Sequence, residues 1–444
     1  LDTVGFTFAD ELTNTTYYFK AKSVRYSAQE IASYSVAITG ISNSNYKVTL
    51  SSKSWIIHPK VATVEWVENS PYIYDKTYKT VGAVVTNLEQ GDTANVIIVN
   101  EGSEDGRLLR YTAINCGLYR AVISSVSNAN YTIAGAQNLV LDWEIDKADI
   151  TNITLSDKTV TYNGQVHSLQ VSATYTQYGD AAIVNYSISP QGASSNGALH
   201  AGSYTVTVTV NAGDNYNQLT LQATLTINKA QINLSWADYA NGQALDSDNN
   251  PFSKIYNTSA HGKAVTVSGL YQVGGVTDKI KLSISVTSGA QSTYNPDAFV
   301  ENTQYVFSSV NAGSYTVSVS STLMGESSGN YQLQSQSRTW IIEKKTINLT
   351  SSWFVEDTQT PYSDSAFVYD GTPKTVKAGY VQGAASDNDY KVYDGDILSF
   401  VYQNNTAVNA GEYIATAQLA SSLPSLNYRI NASAAEGANG VKKW

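Results

Sequence analysis

His200-Ala-Gly-Ser-Tyr-Thr-Val-Thr-Val-Thr-Val210 joins a turn to an alternating strand, and its features predict the fold of the whole chain. From Tyr204 onward, tyrosine and valine alternate with threonine, so one side of the extended backbone is apolar and the other is polar. A strand of this kind lies half in a core and half in water, which favours antiparallel sheets. The chain contains 32 Tyr but only one Met. Because such residues fit a pleated, half-buried surface, we predict an all-β protein.

The opening phrase of that segment recurs along the chain. Its five copies are Glu30-Ile-Ala-Ser-Tyr34, Asn115-Cys-Gly-Leu-Tyr119, His200-Ala-Gly-Ser-Tyr204, Asn311-Ala-Gly-Ser-Tyr315 and Asn409-Ala-Gly-Glu-Tyr413. Each copy is followed by an Asn-Tyr pair, in order Asn45-Tyr46, Asn130-Tyr131, Asn215-Tyr216, Asn330-Tyr331 and Asn427-Tyr428. The phrase tyrosines are 85, 85, 111 and 98 residues apart. A fixed order of marks indicates tandem modules, each large enough to bury a core of its own.

These marks divide the chain into five repeats. We predict a partial first repeat over 1–60, a second over 61–147, a third over 148–229, a fourth with longer loops over 230–345, and a fifth over 346–444 that lacks its last strand. The first repeat lacks its opening third, so we expect a piece cut from a longer polypeptide. The joints contain no Gly/Pro-rich spacer, and we therefore expect a tandem array in the form of an extended, semi-rigid rod.

A second mark is a tyrosine in front of a turn. It occurs as Tyr74-Asp75-Lys76, Tyr162-Asn163-Gly164, Tyr256-Asn257-Thr258 and Tyr369-Asp370-Gly371. Asp/Asn-Gly is a strong signal for a type I′ hairpin, so the pattern predicts a hairpin at each of these sites. The tyrosine that follows the Ala-Gly turn is similar to the tyrosine corner of immunoglobulin-like sandwiches, in which a phenol binds a nearby backbone carbonyl.

Tryptophans also recur at fixed places. Trp55, Trp143 and Trp340 open the last strand of their repeats, with Leu225 in the same place, and Trp66, Trp236 and Trp353 recur near the start of a repeat. Repetition with an aliphatic substitute indicates packing rather than a binding platform. The tyrosines left as candidates for stacking on a sugar are Tyr17, Tyr18, Tyr175, Tyr178 and Tyr271.

Together these features resemble the MBG or YDG-type repeats of large bacterial surface proteins. The resemblance rests on Tyr369-Asp-Gly371 followed by Thr372-Pro-Lys-Thr-Val376, on the Ala-Gly-x-Tyr strand, on the Asn-Tyr pair and on the closing Ile-x-Lys. It covers nearly the whole chain and is strongest over 148–229 and 346–430. It implies immunoglobulin-like antiparallel β-sandwich modules in an adhesin-like protein that is cell-wall attached or secreted, and it implies no ligand and no catalytic residue.

The leading hypothesis is therefore a non-catalytic surface region that acts as a stalk, an adhesive module or both. The alternative is a set of carbohydrate-binding or spacer domains attached to a secreted glycan-degrading enzyme. Candidate partners are host glycans, mucins or matrix proteins, and we expect a monomer. With a net charge of −10 and no basic cluster, the chain lacks the positive face of a nucleic-acid binder. It also has no apolar run of about 18 residues that could span a membrane.

No constellation of catalytic residues stands out. Gly325-Glu-Ser327-Ser-Gly329 matches the nucleophile-elbow pattern, but an Asn-Tyr strand follows where a helix is required. The four histidines, His58, His167, His200 and His261, fall at different points of their repeats and are predicted to be surface or loop residues. Cys116 replaces the alanine of other copies, so we expect a small core residue.

The acidic clusters supply the remaining candidates. Asp246, Asp248 and Asn250 most resemble a calcium loop, because hard cations bind several carboxylate and amide oxygens. The clusters over 101–105 and 387–396 are interpreted as solvated loops. No cofactor is expected apart from this candidate Ca²⁺. Lys147, Lys229 and Lys344 recur at the joints rather than in a core, which argues against an isopeptide bond at any of them.

Overall fold

The computed structural model describes residues 5–10, 16–18, 27–45, 52–355, 361–362 and 366–444. Within these ranges the regular structure consists of β-strands and of two short 3₁₀-helices, Ser328–Asn330 and Ser425–Asn427. The all-β prediction is confirmed. No described helix has the length and hydropathy that a bilayer crossing requires. Tyr46 lies outside the described residues, as do the side chains of Tyr17 and Tyr18.

The chain divides into two compact units. The first contains Leu1–Leu155, Gln170–Tyr186 and Thr207–Gln222, and the second contains Ser156–Leu169, Ser187–Val206 and Ala223–Trp444. The predicted first and second repeats thus belong to the first unit, and the fourth and fifth belong to the second. The third repeat supplies segments to both units, so the division into five repeats stays a prediction.

In the first repeat the strands are Gly5–Asp10, Thr16–Tyr18, Ala32–Ile41 and Ser52–Ile57. They form one antiparallel sheet in the order Thr16–Tyr18, Gly5–Asp10, Ala32–Ile41, Ser52–Ile57. In the second repeat the strands are Lys60–Val61, Val64–Val67, Tyr72–Ile73, Lys79–Thr80, Gly82–Val85, Val96–Val99, Ser103–Glu104, Arg107–Leu109, Thr112–Ala113, Gly117–Val126, Tyr131–Thr132 and Val140–Asp146. Its largest sheet is centred on Gly117–Val126, and a second sheet pairs Val64–Val67 with Gly82–Val85.

The third repeat contains the strands Lys158–Thr161, His167–Ser168, Ile183–Ser189, Gly197–Ala198, Gly202–Asn211 and Leu219–Asn228. In the sheet order, Lys158–Thr161 is followed by Leu219–Asn228, Gly202–Asn211 and Ile183–Ser189. The predicted alternation is present in Gly202–Asn211, where Val206, Val208 and Val210 are fully buried.

The fourth repeat contains two larger sheets. Its strands are Ala230–Gln231, Asn233–Ala240, Gln243–Ala244, Phe252–Ile255, His261–Ser268, Gln272–Val273, Val276–Thr277, Lys281–Val286, Gln291–Ser292, Gln304–Ser309, Gly313–Met324, Tyr331–Gln332 and Gln336–Glu343. One sheet has His261–Ser268 at its centre and the other has Gln336–Glu343. These two strands contact each other across the sheets, so the buried faces share one core.

The fifth repeat contains Lys345–Ile347, Phe354–Val355, Lys374–Lys377, Phe400–Gln403, Thr406–Ala407, Ile414–Leu419, Tyr428–Ile430 and Val441–Lys443. The sequence predicts a fifth repeat without its last strand, but Val441–Lys443 pairs antiparallel with Ile414–Leu419, as the last strand does in other repeats. Trp444 extends this pairing through two backbone hydrogen bonds with Tyr413. The beginning of the closing strand is therefore present.

The recurrent tryptophans pack as predicted. Trp143 and Trp340 are buried opposite the phrase tyrosines Tyr119 and Tyr315, with stacked rings whose centroids are 4.8 and 5.4 Å apart. Leu225 is fully buried in the same place of the third repeat. This tyrosine–tryptophan layer anchors the strand that follows the Ala-Gly turn.

The sheets are not purely antiparallel, in contrast to the prediction. Tyr72–Ile73, Lys158–Thr161 and Phe252–Ile255 each pair in parallel with the closing strand of their own repeat. Most of a repeat separates the two partners in sequence, which gives the chain enough length for a parallel crossover. The alternating hydrophobic pattern shows which face is buried but not the direction of the neighbouring strand.

Candidate functional site: the junctions between successive repeats

The turn after each marked tyrosine is an Asx-turn. The side-chain Oδ1 of Asp75, Asn163, Asn257 and Asp370 accepts the backbone N–H two residues later, at 2.9, 3.0, 3.0 and 2.9 Å. Only the next residue has a positive φ, namely Lys76, Gly164, Thr258 and Gly371. A type I′ turn requires positive φ at both central positions, so the predicted turn type is wrong. One positive φ suffices here because the side chain replaces a backbone hydrogen bond.

The turns are not hairpins either. In the second repeat, Tyr72–Ile73 before the turn pairs with Val140–Asp146, whereas Lys79–Thr80 after the turn pairs with Thr112–Ala113. The chain therefore crosses from one sheet to another at the turn. The marked tyrosine is the last residue before the crossing. It therefore lies at the spatial end of its repeat, where the next repeat makes contact.

The residue four positions after the Asx residue completes the turn. Lys79 and Lys374 form ion pairs with Asp75 and Asp370, at 2.5 and 2.6 Å. In the third and fourth repeats, asparagine replaces the aspartate and histidine replaces the lysine. His167 and His261 contact Asn163 and Asn257 at 3.0 and 2.7 Å. These two histidines thus share one place in their repeats, contrary to the prediction, and His261 is buried.

The protonation states of the two side chains in each turn fit the hydrogen bond between them. Hydrogen bonds from Lys79 and Thr77 lower the pKa of Asp75 to about 2. Lys374 and Thr372 likewise lower the pKa of Asp370. In the fourth repeat, burial lowers the pKa of His261, which favours the neutral imidazole beside the neutral Asn257 amide. A charged pair at the exposed turns and a neutral pair at a buried turn both keep the tyrosine in place.

Three of the four junctions are each centred on one carboxylate that accepts hydrogen bonds from two phenols. One phenol belongs to the turn tyrosine of the preceding repeat and the other to the Asn-Tyr pair of the following repeat. The sets are Tyr74 and Tyr216 on Asp180 at 3.1 and 2.7 Å, Tyr162 and Tyr331 on Asp278 at 2.7 and 2.6 Å, and Tyr256 and Tyr428 on Asp396 at 2.8 and 2.5 Å. In every set both phenols reach Oδ2 of the aspartate. We call this arrangement the tyrosine–aspartate latch.

The aromatic rings of the latch pack edge to face. The two tyrosines of each latch have ring centroids 5.3, 5.5 and 5.4 Å apart, in chain order. A third tyrosine borders each latch, in the same order Tyr178, Tyr271 and Tyr393. Two candidates for sugar stacking, Tyr178 and Tyr271, thus belong to junctions. Tyr175, the third described candidate, is exposed.

Burial keeps the latch phenols protonated. Desolvation, together with the hydrogen bond to Asp180, raises the pKa of Tyr216 to about 12. Desolvation likewise raises the pKa of Tyr162, Tyr256, Tyr331 and Tyr428, with the latch aspartate as the next cause. A protonated phenol can donate, and an ionised carboxylate can accept from several donors, so the set of charges fits the geometry.

A second contact uses the asparagine of the Asn-Tyr pair and occurs at all four junctions, including the one between the first and second repeats. Its Oδ1 accepts the N–H of the second residue in the Ala-Gly phrase of the preceding repeat. The bonds run from Ile31 to Asn130, Cys116 to Asn215, Ala201 to Asn330 and Ala312 to Asn427, at 3.2, 2.8, 2.9 and 2.7 Å. Its Nδ2 reaches the side chain of the first phrase residue, namely Glu30, Asn115, His200 and Asn311. We call this the asparagine clasp.

Two residues of the clasp, Cys116 and His200, have roles that differ from those predicted from the sequence. Cys116 is not a core residue, because its side chain is partly exposed and its thiol contacts the carbonyl of Asp214 in the next repeat. His200 takes the place of the phrase asparagine, and its Nδ1 contacts the Nδ2 of Asn330 at 3.2 Å. Both residues therefore serve a junction.

The phrase tyrosines hold the other side of the clasp in shape. The phenols of Tyr119, Tyr204, Tyr315 and Tyr413 donate to the carbonyl four residues upstream, at 2.7, 3.0, 2.8 and 2.8 Å, and Tyr34 donates to Glu30 in the same way. This carbonyl belongs to the first residue of the phrase, which carries the clasp partner. The corner tyrosine thus fixes the loop that meets the next repeat.

The latch aspartates are the residues that sequence reasoning misses. Asp180 and Asp396 follow a glycine, as does Asp92, whose Oδ2 accepts the phenol of Tyr131 at 2.7 Å. Asp278 follows a threonine instead. A Gly-Asp pair between the turn and the Ala-Gly phrase of three repeats is a usable signal, although Asp396 is otherwise hidden within an acidic cluster.

The corresponding tyrosine of the fifth repeat, Tyr369, is exposed. Tyr369 is 65% exposed, whereas its counterparts Tyr74, Tyr162 and Tyr256 are 5, 1 and 3% exposed. A cavity of about 740 Å³ opens beside it, and its lining includes Tyr369, Asn409, Tyr413 and Trp444. The cavity thus combines aromatic faces with the polar groups that form clasps elsewhere.

The calcium candidate lies among cationic side chains. Asp248 forms ion pairs with Lys263 and Arg338, at 3.0 and 2.8 Å, and Asn250 Oδ1 accepts the N–H of Thr339 at 2.8 Å. The described residues contain no group of three His, Cys, Asp or Glu side chains arranged to hold a metal. The structure thus gives Asp248 and Asn250 protein partners, and Ca²⁺ at Asp246, Asp248 and Asn250 stays a prediction.

The serine of the elbow-like pattern also belongs to a junction. Ser327 Oγ donates to Asp278 Oδ1 at 3.1 Å and accepts the N–H of Lys279 at 3.2 Å. The segment after it is the single-turn helix Ser328–Asn330, which leads into Tyr331. Ser327 therefore supports a latch carboxylate.

No family model matches this chain, and neither does any curated protein. Three of the solved structures that resemble it are a Drosophila N-cadherin fragment, the Escherichia coli adhesin FdeC and the D00-D0 domain of intimin. The N-cadherin fragment is 11% identical, with 77% of this chain and 92% of that chain covered and a TM-score of 0.18. FdeC is 12% identical, with 63% of this chain and 96% of that chain covered and a TM-score of 0.18. The intimin domain is 17% identical, with 43% of this chain and 99% of that chain covered and a TM-score of 0.16. At these TM-scores the likenesses carry no argument about function.

Proposed function

We propose that this chain is a non-catalytic repeat region of a bacterial cell-surface or secreted protein, of the MBG or YDG type, which serves as a stalk. The observation that carries the proposal is the latch. The same two phenols and one carboxylate recur at three consecutive joints, so the most regular residues of the chain serve to hold one repeat against the next. Firm contacts between successive repeats suit a region that acts as a spacer and holds other parts of the protein apart.

The asparagine clasp supports the same proposal. It recurs at four joints and bonds backbone to side chain, so a repeat is held at two separate points. Two attachment points restrict both bending and rotation, whereas a single point would leave the joint free to swivel. The remaining loops are available for contact with partners, which is the adhesive part of the hypothesis.

Distance measurements across one joint test the stalk function. Spin labels on Thr159→Cys and Glu301→Cys, both exposed sites, would report the third and fourth repeats in a Cys116→Ser background. We expect a narrow distance distribution that broadens on Asp278→Ala and not on the exposed control Asp297→Ala. A broad distribution in the chain with an intact latch would contradict the proposal.

The aromatic cavity of the fifth repeat favours carbohydrate binding as a second candidate function. Tyr369, Tyr413 and Trp444 present aromatic faces beside polar groups in one cavity, and such a combination suits a sugar ring. This function also fits the alternative in which the repeats accompany a secreted glycan-degrading enzyme.

A glycan array tests this candidate. Mucins, host glycans and plant polysaccharides would be probed with the chain, with and without Ca²⁺. We expect binding that is lost on Tyr369→Ala and retained on Tyr175→Ala, which changes another exposed tyrosine. Binding that survives Tyr369→Ala would exclude the cavity as the sugar site, and binding that depends on Ca²⁺ and on Asp246 would support the calcium prediction.

A further inference from the structure

A lysine and an aspartate face each other inside the fourth repeat, completely buried. Asp238 on Asn233–Ala240 and Lys263 on His261–Ser268 are direct partners in the antiparallel register. Both side chains are 0% exposed, and Lys263 Nζ lies 2.6 Å from Asp238 Oδ1. The desolvation of two such charges is costly, so their presence in a core requires an explanation.

The fold itself does not require this pair. Asp238 lies two residues after Trp236, and the equivalent position in the fifth repeat, two residues after Trp353, is Val355. Val355 pairs with Val376, just as Asp238 pairs with Lys263. An apolar pair thus fills the same register in a sister repeat, and apolar replacements of buried ion pairs are commonly neutral or stabilising.

The groups around the pair are arranged for chemistry at the carboxyl carbon. Asp238 Oδ2 accepts Ser247 Oγ at 2.7 Å and Asn249 Nδ2 at 2.6 Å, and the backbone N–H of Asn249 reaches both oxygens at 3.1 and 3.2 Å. Donors fixed on Oδ2 would stabilise the negative charge that develops there during attack on the carbon. Oδ1 remains beside Lys263 Nζ.

A second carboxylate lies close enough to move protons. Asp248 Oδ1 is 3.0 Å from Lys263 Nζ, and the Asn249 backbone carbonyl accepts a further hydrogen bond from the same nitrogen. Asp248 is partly exposed and is held by Arg338. A carboxylate in this place can accept a proton from the ammonium and return it to a leaving oxygen.

We infer that Lys263 and Asp238 are the partners of an intramolecular isopeptide cross-link. The Lys263 ammonium gives a proton to Asp248, and the neutral Nζ then attacks Cγ of Asp238. A C–N bond forms and the Cγ–Oδ1 bond breaks. Two of the three ammonium protons leave with Oδ1 as one water molecule, the third stays on the amide nitrogen, and Asp248 ends ionised. No atom changes oxidation state, and no co-reactant is required.

Proximity and burial both favour this condensation. The fold holds the two reacting groups in contact on neighbouring strands, and intramolecular reactions of well-oriented groups gain a large effective concentration. Exclusion of water removes the reagent of the reverse hydrolysis. The site differs from Lys147, Lys229 and Lys344, which are exposed, in agreement with the argument against a cross-link at the joints.

The intact mass of the denatured chain tests the inference directly. We expect the folded wild-type protein to weigh one water molecule less than its sequence, and a proteolytic digest to contain one branched peptide that joins Asp238 to Lys263. The mass deficit should be absent in Lys263→Arg. Asp248→Asn should lower the fraction of freshly expressed protein that carries the deficit without changing the linked residues.

A matched control separates this chemistry from burial alone. Lys345 is also 0% exposed and lies 3.1 Å from Asp389 Oδ1, yet Asp389 is partly exposed. Lys345→Arg should keep the mass deficit. Loss of the deficit in Lys345→Arg would place the link at Lys345 and contradict its assignment to Lys263. A wild-type mass equal to the sequence would overturn the inference, and so would a deficit that persists in Lys263→Arg, as dehydration at an Asp-Gly step would give. Circular dichroism of each variant would check that it folds, because the link forms only where the fold holds the two groups together.

Discussion

At the residue scale, the joints depend on a few carboxylates that each satisfy donors from two repeats. Asp278 illustrates the point, because it accepts Tyr162, Tyr331 and Ser327 while itself being 7% exposed. Removal of such an acceptor leaves several buried hydroxyls unpaired at once. Much of the stabilisation of this joint therefore depends on the single side chain of Asp278.

We predict that Asp278→Ala lowers the free energy of unfolding by about 3 kcal/mol, because hydrogen bonds to a buried charge are lost and their donors stay desolvated. Chemical denaturation would measure the change. Asp297→Ala, at an exposed site of the same repeat, should be nearly neutral. Equal effects of the two substitutions would show that the latch contributes nothing to stability.

The phenols of the latch predict sensitivity to alkali. The pKa of Tyr216 is raised to about 12 in the folded chain, whereas an unfolded tyrosine titrates near 10. The unfolded state therefore loses its proton first as the pH rises. The stabilisation is complete below a pH of about 10 and is lost as the pH approaches about 12. Urea unfolding over this range should show a declining stability, with a smaller decline in Tyr216→Phe. An unchanged slope in the variant would remove Tyr216 from the effect.

At the scale of the element, the turn after the marked tyrosine is a crossover between sheets, and in the third repeat it also touches the next repeat. Gly164 has φ +77°, and a Cβ there would lie 2.5 Å from the carbonyl oxygen of Gln272 in the fourth repeat. Gly371 has φ +76°, with no atom of the described residues within 4 Å of the same Cβ position. The two glycines thus share a backbone requirement and differ in their surroundings.

We predict that Gly371→Ala costs about 1 kcal/mol, the strain of a left-handed conformation, and that Gly164→Ala costs more because the fourth repeat must also shift. Thermal unfolding of both variants would measure the difference. If the two substitutions have equal cost, the Gly164 turn does not press on Gln272 in solution.

The sequence predicted the strands and the recurrent marks well, because alternation and tryptophan–tyrosine packing are local consequences of the residues. Turn type was wrong, since Asp or Asn followed by Gly fits both a type I′ turn and an Asx-turn. The latch was not predicted because Asp278 and Tyr162 are 116 positions apart. One sequence shows that both residues exist but not that one repeat's turn meets the next repeat's loop. Likewise, Lys263 and Asp238 are ordinary polar residues until the register places them opposite each other in a core.

At the scale of the whole molecule, the latches and clasps connect the stability of neighbouring repeats. Arrays of this kind unfold according to the stability of each repeat and of each interface. Substitution of one core residue should therefore affect its own repeat most, and the interfaces should determine how far the effect extends to neighbours.

We predict that Tyr315→Ala destabilises the fourth repeat by a few kcal/mol, since its buried ring stacks on Trp340. In calorimetry the loss should appear as one earlier transition, followed by the repeats that remain folded. The triple variant Asp180→Ala, Asp278→Ala, Asp396→Ala should separate the transitions further, because its joints no longer couple the repeats. A single transition in every variant would contradict this division of stability.

Each joint is assembled from two different halves, and this bears on how the number of repeats can change during evolution. At the three joints that contain a latch, the preceding repeat supplies the turn tyrosine and the Ala-Gly phrase, and the following repeat supplies the aspartate and the Asn-Tyr pair. Deletion of residues 148–229 as a block would bring Tyr74 and Asn115 to face Asp278 and Asn330, which is again a complete set of partners. Unequal recombination between copies could thus lengthen or shorten the gene by whole repeats and still leave every joint with both of its halves.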